Sequence, residues 1–315
     1  RLALALTVTL ASIAACSSGD GTEDSEDGAS AFTQLACPRA LAAANRTRKV
    51  VVSHPFGDNP NRYEVLDLAA DGALTQTGAV FEMQKAGYSP IVFTPDGEIG
   101  LVAQDRGAVG VFRFNAEGAP EVVSVGLEAD FYASSIVMHP SGNRAYVVDG
   151  NAAAHDGGIY ELVINCDGTV TPKGRIVPGG GANALEFMPG TDKRAVLFAS
   201  QAFSSAAERN TFLVDMRSPR ILAQGDAFGD PKAIVSSIAI TDDSRYALLA
   251  DDSIVSGNRI SVVSLSNMKP KQVLTTTAPF AVVMSTFGGA ALVVNGDSAD
   301  ELTALRYDRT NTTEP

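Results

Sequence analysis

The sequence predicts an all-β chain, a β-propeller of six four-stranded repeats. Three observations predict it. Six short apolar strands end in the same polar step, reading VVSH, VAQD, VVDG, FASQ, LADD and VVNG, with Ser53, Gln104, Asp149, Ser200, Asp251 and Asn295 in the third place. The gaps between these residues are 51, 45, 51, 51 and 44. A period of about 40 to 50 residues that carries short strands marks a radial array of small sheets. Finally, from the second repeat on, each step is preceded at a near-constant offset by another apolar strand and a tight turn.

The first strand of each unit reads IVFTPDG, IVMHPSG, LEFMPGT, IAITDDS or VVMSTFG, aligned on Phe93, Met138, Phe187, Ile240 and Met284. Pro, Asp, Ser and Gly supply the turn chemistry. The aligned residue lies 11 positions before the next polar step in four units and 13 in the fourth, where 190–193 lengthens the turn. The second strand, typified by Ala145-Tyr146-Val147-Val148, is apolar nearly throughout, as a strand covered on both faces should be. Third strands follow at 63–68, 109–114, 159–164, 211–215, 260–265 and 302–307. Asp71-Gly72, Glu117-Gly118 and Asp167-Gly168 then mark a second hairpin turn. A more polar fourth strand closes each unit at the exposed edge. The ends are uneven. The first repeat enters at Val50 with its second strand, and 39–44 reads equally as its missing innermost strand or as a helical lead-in. The last repeat has no good fourth strand. The repeat region suits six blades; a seven-bladed ring follows if the chain is a fragment.

The N-terminus reads as a targeting segment. Residues 2–15 are apolar or small behind Arg1, too short to span a bilayer comfortably and ending in small residues. Ile13-Ala14-Ala15-Cys16 resembles the lipobox of bacterial lipoproteins, which implies a signal peptide over 1–15 and a lipid on Cys16; an ordinary cleaved signal is the alternative. With no initiating Met, the chain is expected to lack at least its first residue. Residues 16–36 form a tether: 17–30 hold five acids, no basic residue and little apolar surface, so disorder is expected. The propeller domain is expected over 37–315. Ser17, without the Asp that retains many lipoproteins at the inner membrane, favours an outer-membrane address. The expected partners are therefore the membrane, through the anchor, and an envelope protein or small ligand.

The formal charge of −12 and pI near 4.7 exclude nucleic acid as the expected partner, since no basic stripe appears. If Cys16 carries lipid, Cys37 and Cys166 remain, an even number in an oxidising compartment. A Cys37–Cys166 disulfide would pin the lead-in to the propeller rim; two unrelated thiols are the alternative.

FTPDGEIGLVAQD, MHPSGNRAYVVDG and ITDDSRYALLADD resemble the YVTN and lactonase-like β-propeller repeats of bacteria. The resemblance covers about 50–307. It implies the fold, and for the sugar-acid lactonases among its members a seven-bladed ring. Those enzymes tend to carry a G-P-R-H type approach to an inner strand, with Arg and Glu around the central opening. Here the nearest segment is Gly181-Ala182-Asn183-Ala184-Leu185-Glu186-Phe187, and the corresponding third-blade approach is Phe131-Tyr132-Ala133-Ser134-Ser135; neither has the Arg or the His. A binding or scaffolding module is therefore the expected function, and a lactonase-like hydrolase the alternative.

The candidate ligand face gathers the strand-end polar residues and nearby loops: His54, Asp105, Asp149, His155, Asp251, Asp252, Asn295 and Asp297. Converging carboxylates could hold a hard cation, with calcium the candidate cofactor. The plainer reading is that Asn and Asp cap strand ends by bonding local backbone. His139, in the MHPSG turn on the opposite face, reads as structural. Gly179-Gly180-Gly181 precedes no helix and is no phosphate loop. No catalytic residue is assigned from the sequence.

Overall fold

Short β-branched runs punctuated by Gly, Pro and Asp leave no stretch long enough for a helix, and every regular element described is a strand. The computed structural model describes residues 47–53, 58–84, 87–104, 108–115, 118–126, 133–150, 158–166, 168–178, 181–199, 210–230, 233–251, 253, 258–285, 289–296 and 302–307. The signal-like segment 1–15 and the tether 16–36 lie outside them.

The strands form six antiparallel sheets, the blades of a β-propeller. The first holds β1 (Arg48–Ser53), β2 (Arg62–Leu68) and β3 (Leu74–Glu82). The second holds β4 (Gly87–Phe93), β5 (Ile99–Gln104), β6 (Ala108–Phe114) and β7 (Pro120–Gly126). The third holds β8 (Ala133–Met138), β9 (Arg144–Asp149), β10 (Gly158–Ile164) and β11 (Val170–Pro178). The fourth holds β12 (Ala182–Phe187), β13 (Arg194–Ala199), β14 (Thr211–Asp215) and β15 (Arg220–Gly225). The fifth holds β16 (Val235–Ile240), β17 (Tyr246–Asp251), β18 (Arg259–Ser264) and β19 (Lys269–Thr275). The sixth holds β20 (Pro279–Met284), β21 (Ala290–Asn295) and β22 (Leu302–Arg306). Among the described residues the first and last blades thus have three strands each, at the two places where the repeat lacked a first and a fourth strand. The inner strands β4, β8, β12, β16 and β20 follow one another around the axis.

The turn between first and second strands is built by side chains. Thr94 Oγ1 donates to Asp96 Oδ1 at 2.5 Å, and that oxygen also accepts the Glu98 amide at 3.1 Å. Thr241, Asp243 and Arg245 repeat the arrangement at 2.7 and 3.1 Å. In the third blade His139 replaces the Thr, and its Nδ1 lies 2.6 Å from Ser141 Oγ and accepts the Ser141 amide at 3.1 Å. The tight return needs a positive φ, met by Gly97 at 73° and, at some cost for a residue with a Cβ, by Ser244 at 57°.

Blades pack face to face through five buried apolar clusters, one at each interface from first–second to fifth–sixth. The second strands carry most of this burial. In β9, Ala145, Tyr146, Val147 and Val148 are each at most 2% exposed. Burying such a Val contributes about 1.5–3 kcal/mol, and an acid at Val147 would break the interface with the second blade. Packing is close enough that a Cβ at Gly225 would overlap the Met268 carbonyl.

Candidate functional site at the central opening

Two of the polar steps, Asp251 and Asn295, have their hydrogen bonds defined. Asp251 is fully buried at the end of β17. Its Oδ1 accepts the amides of Ile234 and Ser253, each at 3.2 Å. Its Oδ2 accepts Arg259 Nη2 at 2.6 Å and Nε at 3.2 Å. Arg259 also reaches Asp230 at 3.1 Å and lies over the Phe228 ring. Every lone pair of the carboxylate is thereby engaged in joining a blade connection to two strands. Asn295 accepts from Thr276 Oγ1 at 3.1 Å and donates to Thr303 Oγ1 at 2.8 Å. Asp149 is 3% exposed and engaged in bonding. Asp251 thus bonds local backbone as well as Arg259, whereas the Asn295 bonds run to two threonine hydroxyls. Among the described residues no three His, Cys, Asp or Glu side chains come together as a metal site. His54, Asp105, His155, Asp252, Asp297, Cys16 and Cys37 lie outside the described residues. Cys166 is disulfide-bonded, and the chain's other two cysteines are Cys16 and Cys37.

The inner strands carry a feature absent from the sequence pattern. All five break register near their entry, at Gly87/Ile91, Ala133/Ser135, Ala182/Ala184, Val235/Ser237 and Pro279/Ala281. A bulge re-aims side chains and recurs beside functional openings. Hydroxyls there tie neighbouring blades together. Ser134 Oγ lies 2.9 Å from the Ala182 carbonyl, and Ser237 Oγ accepts the Val282 amide at 3.1 Å.

Three residues past the β12 bulge at Asn183 stands Glu186. In the aligned inner strands its place is taken by Val92, Val137, Ala239 and Val283, so among the described inner strands it is the one carboxyl at an otherwise apolar level. Leu185 and Phe187 pack toward the third blade, and alternation turns Glu186 the other way, with Ala184, toward the fifth. The residue keeps part of its surface open, yet its carboxyl is closed in by the surrounding strands. Burial pushes its pKa up from 4.5 to about 8, with no cation opposing the rise. The carboxyl therefore changes charge near neutral pH. Sequence reading missed it through attention to polar strand ends; the signal was an acid in an apolar column.

A second unusual group lies between the first two blades. The Tyr63 hydroxyl is fully buried and unbonded. The Gly87 backbone and Gln104 side chain lie beside it and partly oppose the effect of burial, but neither is aligned for a hydrogen bond, and its pKa is pushed up to about 12.

Solved structures share this architecture. A Bacteroides uniformis protein provisionally described as a 6-phosphogluconolactonase matches with a TM-score of 0.66 at 15% identity, over 86% of this chain and 81% of that one. The periplasmic gluconolactonase PpgL of Pseudomonas aeruginosa matches at 0.61 and 18% identity, over the same shares. A functionally unknown protein of Desulfotomaculum acetoxidans matches at 0.60 and 15%, over 84% and 77%. These likenesses show the β-propeller fold. No protein-family model and no curated sequence matches the chain.

Proposed function

We propose that this propeller is a lactonase-type hydrolase, with Glu186, on an inner strand and turned toward the fifth blade, as the proton-transfer group. The carrying observation is that carboxyl: enclosed, with no cation against it among the described residues, and with its pKa pushed up to about 8 inside a fold whose neighbours include proteins named as lactonases. In ring opening, water forms a bond to the lactone carbonyl carbon and the ring C–O bond breaks. The carboxylate of Glu186 would take the proton from water and return it to the departing ring oxygen. A base of this kind works best when its pKa lies near the working pH. The apolar surroundings would exclude bulk water from all but the reacting position.

The test is turnover of glucono-δ-lactone by residues 31–315, corrected for spontaneous opening at each pH. The reading expects catalysis that rises as pH climbs through about 8 and falls at least tenfold in Glu186→Gln. A rate equal to the spontaneous one, or an unchanged Glu186→Gln variant, would overturn it.

A binding module anchored at the cell envelope is the second reading, favoured by Asn183 and Ala184 standing where the lactonase pattern places Arg and His. On either reading the Ile-Ala-Ala-Cys junction and acidic tether support lipidation at Cys16 and attachment to the outer membrane. Fractionation of a Cys16→Ser variant checks this, since the anchor requires its release from the membrane. Calcium remains the candidate cation, to be tested by adding it or chelator to the same assay.

A further inference from the structure

We propose that Ser141 is a second reactive centre, an acyl-accepting nucleophile activated by His139, on the turn between β8 and β9 and separate from Glu186. The sister turns show what this turn needs. At 94–96 and 241–243 a threonine hydroxyl donates to an aspartate, and that carboxylate caps a following amide. Both threonines are buried, at 2% and 0% exposed. The third blade replaces both partners, with His139 for the threonine and Ser141 for the aspartate. This inverts the arrangement. The buried place now holds a base, and the hydroxyl stands on the exposed side. The sister turns form without either change.

Ser141 Oγ lies 2.6 Å from His139 Nδ1. Across the ring, Nε2 lies 3.3 Å from the Asp192 carbonyl oxygen in the fourth blade's turn. A carbonyl only accepts, so Nε2 carries the proton of the neutral ring. Nδ1 is then bare, and it accepts the Ser141 amide at 3.1 Å. The hydroxyl is therefore the donor in the bond between Oγ and Nδ1, with Asn143 Oδ1 competing for the same proton. The Phe187 and Tyr146 rings flank the imidazole, with centroids at 5.4 and 6.1 Å. A hydroxyl bonded to a base whose far nitrogen is fixed by a third group is the arrangement that makes serine nucleophilic.

The charges around the ring suit the transfer. Burial holds the His139 pKa below 6.5, which keeps the base free at neutral pH. The Asp192 carboxylate acts in the opposite sense and steadies the imidazolium once it forms. Arg144 acts against the cation, but it is paired with Glu161 at 3.4 Å. Tyr146, raised above 10 chiefly by burial, stays neutral. On meeting an ester, Oγ bonds to the carbonyl carbon while its proton passes to Nδ1. The bond to the leaving oxygen then breaks, and that oxygen takes the proton from Nδ1. Loading Nδ1 also frees the Ser141 amide, which becomes available to the oxyanion forming beside Oγ. Ser141 is exposed, so a small activated ester reaches it from solvent.

The probe is a rhodamine-bearing fluorophosphonate, whose phosphorus bonds Oγ as fluoride leaves and the hydroxyl proton passes to His139. It is incubated with the full chain, and labelled peptides are mapped and timed by mass spectrometry. Ser141 should label at least tenfold faster than Ser218, an exposed serine of the turn between β14 and β15. The rate should be level above pH 6.5 and fall below it as the ring takes a proton. An unassisted hydroxyl would instead react faster with every rise in hydroxide. His139→Thr restores the residue of the sister turns and removes the base, so labelling should drop at least tenfold. No label on Ser141, or equal label on Ser218, overturns the proposal. So does a rate that climbs steadily from pH 7 to 9, or one unchanged in His139→Thr. The pH profile is read on the parent protein, so it decides even where the variant fails to fold.

Discussion

Glu186 makes a thermodynamic prediction that is independent of catalysis. Its carboxyl holds a proton in the folded state up to about pH 8, against 4.5 in an open chain. The folded state then binds more protons than the unfolded one throughout that window. The stability tied to this group is fully present below pH 4.5 and is lost as pH rises through about 8. At ~1.4 kcal/mol per pH unit, the loss across the window is about 5 kcal/mol. Glu186→Gln removes the titration while keeping size and polarity. Urea unfolding of both proteins at pH 5 and pH 8.5 should therefore show the variant gaining several kcal/mol on the parent at the higher pH. Shared contributions from other carboxyls and histidines cancel in that difference. A gap that does not change between the two pH values would refute the buried-carboxyl argument, and with it the proton-transfer role.

Other consequences follow from the caps and turns. Arg259→Met strands the buried Asp251 carboxylate and should cost about 3 kcal/mol, largely recovered by adding Asp251→Asn; a loss under about 1 kcal/mol by urea unfolding would show the pair to be idle. Burial holds the His139 pKa below 6.5, with Asp192 opposing. Its contribution is present above that value and lost as pH falls, so a His139→Asn variant should have a flatter melting profile between pH 7.5 and 5 than the parent. Peptide mapping without reduction should place Cys166 in a bond with Cys37, and Cys166→Ser should cost about 2–5 kcal/mol; a Cys16–Cys166 peptide would contradict the lipid anchor as well.

The repeat was legible because propeller geometry imposes itself on local chemistry. The T-P-D-G and D-D-S turns, the Asp-Gly hairpins and the doubly apolar second strands each require particular residues at fixed offsets, and the strands appear within a residue or so of where these signals place them. Asp251 was legible as a cap or a ligand. Its partner Arg259, eight positions on and shared with Asp230 in the preceding connection, is paired with it by no sequence rule. Glu186 was legible only in comparison among blades, because its effect comes from enclosure and enclosure is a tertiary property. The five inner-strand bulges left no sequence trace, since Asn, Ser and Phe all occupy them.

Among the described residues apolar clusters seal five interfaces and none joins the sixth blade to the first, and a stack held that way comes apart from its two ends. In a closed circle, removing any blade means breaking two interfaces. Here the first and sixth blades are each held through one cluster, so they can peel away while the middle of the stack persists, as terminal units do in linear repeat arrays. Amide exchange should then grade from fast in β1–β3 and β20–β22 to slow in β9 and β13. Unfolding would proceed as an unzipping from both ends.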